Sequence, residues 1–345
     1  MPRSCVRNNP EARLEGESRC RKRGQNLRSL GLIDPEIRPM LDLVSPMDLS
    51  LESLDAIRDT LNALRPDSPK PVLQPRIEWA QGRHGAPDVP LLVFVPAERT
   101  SRAAILHMHG GGMVMGRAAM NNVGNAALAA RLGVVVVSVD YRLSPETPFP
   151  GPHEDCYAAL EWLISRAAAL DLDPFRIAVA GESAGGYLAA ALALMVRDRG
   201  EHRLCGQVLT YPMLDHRTGS KDCIYRNDNA GEFVWTRAEN RFSWRCVRGD
   251  YQINDERIGW FSPARAESLA GVPPTFIAAG GLDLFVDEDI DYARRLGKDG
   301  VSVELHIYPG GIHGFDMMAS SRIARQMRDD VDRAISVMLG VEAPV

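Results

Sequence analysis

The sequence predicts an α/β protein with a mostly parallel central sheet, and two observations carry that prediction. From about residue 74 onward, short apolar runs alternate with longer amphipathic or Ala-rich stretches, the order that successive βα units impose. Runs such as Val134–Val139, VVVVSV, are apolar without alternation, as a strand must be when helices cover both faces of its sheet. The 345 residues, 45% hydrophobic and 25% charged, suit one large globular domain with an appendage.

Taken in order, residues 1–28 are Arg-rich and without periodicity, and read as a flexible basic extension. Residues 1–30 hold eight Lys/Arg against three Glu, a balance of +5, which leaves −10 on the rest of the chain. Glu11, Glu15 and Glu17 oppose a transit peptide, and no apolar core follows the arginines as a secretory signal requires. Between residues 34 and 65, Ile37, Met40, Leu41 and Val44, then Leu51, Leu54, Ile57, Leu61 and Leu64, keep helical spacing. Residues 29–70 therefore read as helices that pack over the sheet rather than within it. Pro66, Pro69, Pro71 and Pro75 make a stiff connector.

Eight strands are predicted at Gln74–Ala80, Leu91–Val95, Ala103–Met108, Val134–Val139, Ile177–Ala180, Gln207–Tyr211, Thr275–Ala279 and Ser302–Ile307. Helices are predicted at Asn121–Arg131, Glu154–Ala169, Ala184–Asp198, Asp287–Lys298 and Arg322–Leu339. Residues 213–262 break this rhythm. They hold Trp235, Trp244 and Trp260 among many charges and suit a helical insertion, so that 71–212 and 263–345 together form the main domain.

The net charge of −5 points to neither a nucleic-acid binder nor a membrane-surface protein. No apolar run reaches the roughly 18 residues that a transmembrane helix needs. The six cysteines show no zinc spacing. Cys156 and Cys205 read as buried thiols, and a Cys223–Cys246 bridge would need an oxidising compartment. A soluble, cytoplasmic setting is the expectation. The oligomeric state is open, a homodimer being one option.

The chemistry centres on Ile177–Gly186, IAVAGESAGG. A buried strand reverses into a helix through Gly181-Glu182-Ser183-Ala184-Gly185, a G-x-S-x-G pattern. So tight a reversal strains the serine and crowds its neighbours, so Gly181 and Gly185 must lack side chains. Ser183 is thereby lifted above the sheet edge, next to the N-terminal amides of the following helix. The simpler reading is a serine that merely caps that helix.

A nucleophilic serine needs a base, and the base an acid. Asp283 follows the predicted strand Thr275–Ala279, and His313 lies in the Gly310-Gly311-Ile312-His313-Gly314 loop after the next strand. Both fall on the sheet edge where open α/β folds place their sites. Asp287, Asp289 and Asp291 compete with Asp283 but fit the acidic first turn of a helix. His306 lies within a strand, and His153, His202 and His216 follow no late strand. Upstream, His109-Gly110-Gly111-Gly112-Met113 exposes successive amides suited to a developing oxyanion. Because His109 precedes the nucleophile, it reads as a brace for this loop.

HGGG at 109–112, DYRLSPETPFP at 140–150, GESAGG at 181–186, LDLFVDE at 282–288 and HGF at 313–315 resemble the hormone-sensitive-lipase-like branch of the α/β-hydrolases, which includes the bacterial family IV esterases. The resemblance spans about residues 75 to 340. It implies an eight-stranded, mostly parallel sheet flanked by helices, with a helical cap from the N-terminal helices and a mid-chain insertion. It also implies hydrolysis of short- to medium-chain acyl esters of small molecules without cofactor or metal. Ser183 would be the nucleophile, Asp283 the acid and His313 the base, with Gly111, Gly112 and Ala184 supplying oxyanion amides. Asp140, Tyr141, Arg142 and Glu146 would be scaffold. The family usually has Asp-Pro-Leu where this chain has Asp283-Leu284-Phe285, which would loosen the acid loop or reshape the pocket. Met113, Tyr211, Phe285, Val286 and Phe315 flank the motifs as candidate pocket residues. An amidase, peptidase or lactonase using the same triad, and a non-catalytic small-molecule receptor, are the alternatives.

Overall fold

The computed structural model describes residues 27–44, 47–63 and 71–342. Most of the basic extension, Pro66 and Pro69 lie outside them. Eight strands form one sheet: β1 (Arg76–Ala80), β2 (Val89–Phe94), β3 (Ala104–Met108), β4 (Val135–Val139), β5 (Ile177–Glu182), β6 (Gly206–Thr210), β7 (Thr275–Gly280) and β8 (Val303–Tyr308). Their spatial order is β1-β2-β4-β3-β5-β6-β7-β8. β2 runs antiparallel to β1 and β4, and all other neighbours are parallel. Strand order reverses direction at β3, whose two neighbours are β4 and β5. Ligands bind beyond the carboxyl ends of strands at such a switch point.

The helices are α1 (Met40–Leu43), α2 (Leu54–Ala63), α3 (Asn122–Leu132), α4 (Gly151–Ser165), α5 (Ala184–Arg199), α6 (Arg237–Arg248), α7 (Ile258–Phe261), α8 (Val286–Lys298) and α9 (Arg322–Leu339). Strand pleating sends alternate residues to opposite faces. Val135, Val137 and Val139 join the core under α4, α5 and α8, whereas Val134 and Val136 join that under α3 and α9. Each fully buried valine contributes about 1.5–3 kcal/mol, which is why β4 is apolar throughout.

α5 is buried without a break from Ala184 to Val196, because it lies between the sheet and helices α4 and α7. Its Ala- and Gly-rich first turns let the backbone approach β3 and β5. The helix ends at Gly200, whose φ of 68° provides the left-handed cap.

Among its described residues, which leave out Leu64, the N-terminal region is less helical than its spacing predicts, with one turn at α1 and three at α2. Isolated short helices are marginal, and these persist through tertiary contacts. Ile33, Ile37 and Met40 are buried in the core of the α9 face. Arg58 of α2 donates to the carbonyls of Val114 and Ser144 and to Glu146. Within 213–262, α6 starts at a capping box formed by Thr236 and Glu239. Cys156, Cys205, Cys223 and Cys246 are free thiols, so Cys223 and Cys246 form no bridge, and Cys205 is only half-buried. Among the described residues, no helix is long and apolar enough to cross a membrane.

Candidate active site

Ser183 occupies the turn between β5 and α5 at φ 56°, ψ −115°. For a non-glycine residue this geometry costs on the order of 1–3 kcal/mol and persists only where the surroundings impose it. Here they do. The Ser183 amide donates to the Thr210 carbonyl at 2.9 Å, and its own carbonyl accepts from Tyr187 and Met213 at 3.0 and 3.2 Å. A Cβ on Gly181 would collide with the Gly185 backbone and stand 2.7 Å from the Met108 carbonyl oxygen. The serine therefore projects from the carboxyl edge of the sheet.

Asp283 and His313 reach the same edge from the ends of β7 and β8. Their loops are stapled together: the Gly281 amide donates to Tyr308, and the Leu282 amide to Gly311, both at 2.9 Å. A Cβ on Gly280 would come within 2.6 Å of the Gly311 carbonyl carbon, so only glycine allows this approach. His313 Nε2 lies 3.0 Å from Ser183 Oγ, and its Nδ1 lies 2.8 Å from Asp283 Oδ2. The other Asp283 oxygen accepts from the Phe285 amide at 3.0 Å. All three side chains are buried. This order of contacts lets a hydroxyl proton pass to an imidazole whose far nitrogen is held by a carboxylate.

Leu284, where the family usually has proline, does not leave the acid loop free. It packs on Gly231, whose amide donates to the Leu282 carbonyl at 3.0 Å.

The glycine-rich loop after β3 passes close to the serine. A Cβ on Gly110 would lie 3.7 Å from Ser183 Cβ. Gly111 and Gly112 take φ values of 120° and 60°, which glycine adopts at little cost. The Gly111 carbonyl accepts from the Val114 and Met115 amides at 3.2 and 3.0 Å, closing the loop into a turn. The Gly111, Gly112 and Ala184 amides donate to no acceptor among the described residues, so they are available to an incoming oxygen. His109 stacks on Tyr141 with ring centres 4.1 Å apart, and its Nδ1 lies 2.8 Å from the Gly110 carbonyl. Burial pushes its pKa down to about 4, so a neutral ring braces the loop. Tyr141 adds a hydrogen bond to the His109 carbonyl at 2.7 Å.

The candidate pocket residues separate into groups. The rings of Tyr211 and Phe285 stand 4.9 and 5.4 Å from that of His313. Met113 is buried in the glycine-rich loop after β3, and Val286 is buried at the start of α8. Phe315 packs on Tyr308 and Gly311, and its ring centre lies 6.5 Å from that of Tyr211. Sequence reasoning missed Trp235 and Ser243. A Cβ on Gly112 would stand 2.7 Å from Trp235 Cζ2 and 2.9 Å from Ser243 Oγ. Nothing in the spacing of the insertion marks these two residues.

Away from this edge, Glu161, Glu201 and His202 bring ligand-type atoms within 4.8 Å of one another. Arg83 already pairs with Glu161, and the Tyr157 hydroxyl donates to Glu201, so these groups are engaged without a metal.

A mostly parallel sheet with a strained serine on its carboxyl edge, facing a histidine and an aspartate, defines an α/β-hydrolase. A family model described as "alpha/beta hydrolase fold" matches residues 105–317. Esterase LipI of Mycobacterium tuberculosis is 33% identical over 82% of this chain and 88% of its own length. Carboxylesterase NlhH of the same species is 34% identical over 82% of this chain and 88% of its own. The structure of a bacterial heroin esterase superposes with a TM-score of 0.81 at 34% identity, covering 90% of this chain and 98% of that one. The chain belongs to the hormone-sensitive-lipase-like esterases of this superfamily and is a carboxylic ester hydrolase.

Proposed function

We propose that the protein is a serine carboxylesterase that hydrolyses short- to medium-chain acyl esters through an acyl-enzyme. The observation that carries this reading is the pair of contacts that His313 makes, 3.0 Å to Ser183 Oγ and 2.8 Å to Asp283 Oδ2. His313 takes the hydroxyl proton as Oγ attacks the ester carbonyl. Asp283 holds the ring with Nδ1 protonated and stabilises the imidazolium. The amides of Gly111, Gly112 and Ala184 receive the oxyanion; one such donor is worth about 3 kcal/mol in the transition state. The C–O bond then breaks, His313 gives its proton to the departing alkoxide, and water repeats the sequence on the acyl-enzyme to release the acid. The described parts of 29–70, together with 213–262, form the cap over this site, a reading supported by Arg58 on the Val114 carbonyl and Trp235 on Gly112.

The test is turnover of a short p-nitrophenyl ester by Ser183→Ala. Turnover should vanish while circular dichroism stays unchanged; activity that persists in a folded variant would refute the assignment. An acyl-length series sets the chain preference, and matched ester and anilide substrates separate esterase from amidase.

A further inference from the structure

One indole lies against both sides of the site. Trp235 is buried, touches the space a Gly112 side chain would need, and lies with its ring centre 6.2 Å from that of His313 at an interplanar angle of 34°. It therefore reaches from the oxyanion loop to the ring beside Ser183.

The chain holds this side chain in place at a conformational cost. Val234 has φ 61°, a region from which a β-branched residue is normally excluded. The Trp235 amide donates to the Phe233 carbonyl at 2.7 Å across it, which makes a γ-turn of the rare, strained kind. Trp235 Nε1 donates to Asn240 Oδ1 at 3.3 Å, and Asn240 Nδ2 donates to the Thr218 carbonyl at 2.7 Å. The Thr218 hydroxyl donates to Glu288, which also accepts from the Leu214 amide at 2.6 Å and the Asp215 amide at 3.2 Å. Asn240 and Glu288 are themselves buried. A polar relay thus runs from α8, just beyond the Asp283 loop, through the insertion to the indole. Strain of this kind at a site, over-determined by its neighbours, points to function.

The position of the ring says what that function is. Whatever ester reacts at Ser183, the oxygen that leaves must lie beside His313 Nε2 to receive its proton. The alcohol portion is then directed along the His313 side of the serine, where the indole stands, and the acyl portion away from it. We infer that Trp235 is a specificity-determining residue that limits the bulk of the alcohol portion, so that the enzyme takes esters of small, unbranched alcohols. The inference rests on the proposed roles of Ser183 and His313.

The experiment compares wild type with Trp235→Ala and Trp235→Phe on two substrate pairs. Cyclohexyl against ethyl acetate varies the alcohol, and ethyl hexanoate against ethyl acetate varies the acyl chain. In Trp235→Ala the cyclohexyl-to-ethyl ratio of kcat/KM should rise by about tenfold or more, the scale of one or two methylenes of pocket space. Trp235→Phe should fall between, and the acyl ratio should move by less than about threefold. An unchanged alcohol ratio, or a larger change in the acyl ratio, would overturn the inference. If the alanine variant fails to fold, the phenylalanine variant decides by the same ratios. A wild type inactive on every ester would overturn the hydrolytic reading and this inference with it; an active wild type indifferent to position 235 would overturn the inference alone.

Discussion

Gly185, at the start of α5, lies so close to the end of β3 that a Cβ there would collide with the Met108 carbonyl oxygen and stand 2.7 Å from that of His109. The helix behind the serine and the strand feeding the glycine-rich loop meet backbone to backbone. Gly185→Ala should therefore destabilise the fold by about 1–3 kcal/mol through overpacking and move Ser183 away from the loop amides. Gly124 is the contrast: it lies in α3, and its missing Cβ has open space. Gly124→Ala should stabilise by about 0.5–1 kcal/mol. Urea unfolding of both variants checks the signs.

Asp283→Asn keeps the shape of the acid but offers His313 Nδ1 an amide that can donate. The imidazole then takes the other tautomer, with its proton on the nitrogen facing Ser183. On the proposed mechanism kcat falls by about 10⁴, with thermal unfolding little changed. Steady-state kinetics showing less than a tenfold loss would remove Asp283 from its role.

Burial holds the pKa of His153 down to about 3 and that of His109 down to about 4. Their unfolded pKa is near 6.5, so between these values the unfolded chain binds more protons. The stability they contribute is present above about pH 6.5 and lost as pH falls, at about 1.4 kcal/mol per pH unit for each ring. His153 packs edge-on to Phe149 and Tyr187, and its Nε2 lies 2.8 Å from the Tyr187 hydroxyl, so His153→Phe keeps an aromatic ring there, gives up that hydrogen bond at every pH and removes one titration. The acid limb of its stability curve should be shallower than wild type by one proton's slope, read from denaturant unfolding between pH 6.5 and 4.

Asp289 is fully buried in α8 with neither carboxylate oxygen partnered among the described residues. Burial, with Glu288, Asp283 and Asp287 nearby, raises its pKa well above the ordinary range. The sign is opposite to that of the histidines: stability is present below the unfolded pKa and lost as pH rises toward the folded one. Asp289→Asn should therefore gain on wild type more at pH 8 than at pH 5. Thermal melts at the two values decide, and an equal shift at both would contradict it.

Much of the scaffold was legible because period and punctuation follow from local chemistry. α9 matches its predicted bounds, and each of the eight strands lies within a few residues of its expected range. The exceptions are instructive. β5 runs on through Gly181 and Glu182, because pairing with β6 sustains an extended backbone that glycine does not favour alone. α4 begins at Gly151 rather than Glu154, with Pro152 tolerated in a first turn that needs no amide there. Among the described residues, helical spacing over 34–65 yields only α1 and α2, since spacing reports which face can be buried and not how far a helix propagates.

What the sequence alone determined is a set of local commitments: the glycines that let the chain turn sharply, the apolar runs that demand cover on both faces, and the side chains at 183, 283 and 313 placed just past strand ends. What only the tertiary structure decided is which of these meet. The order of strands, the 3.0 and 2.8 Å contacts of His313, and the Glu288–Thr218 link of the relay to Trp235 join residues separated by long stretches of chain. Hydrogen bonds and van der Waals contacts act over a few ångströms, so their partners are set by the packing of the whole sheet and leave no periodic trace in the chain.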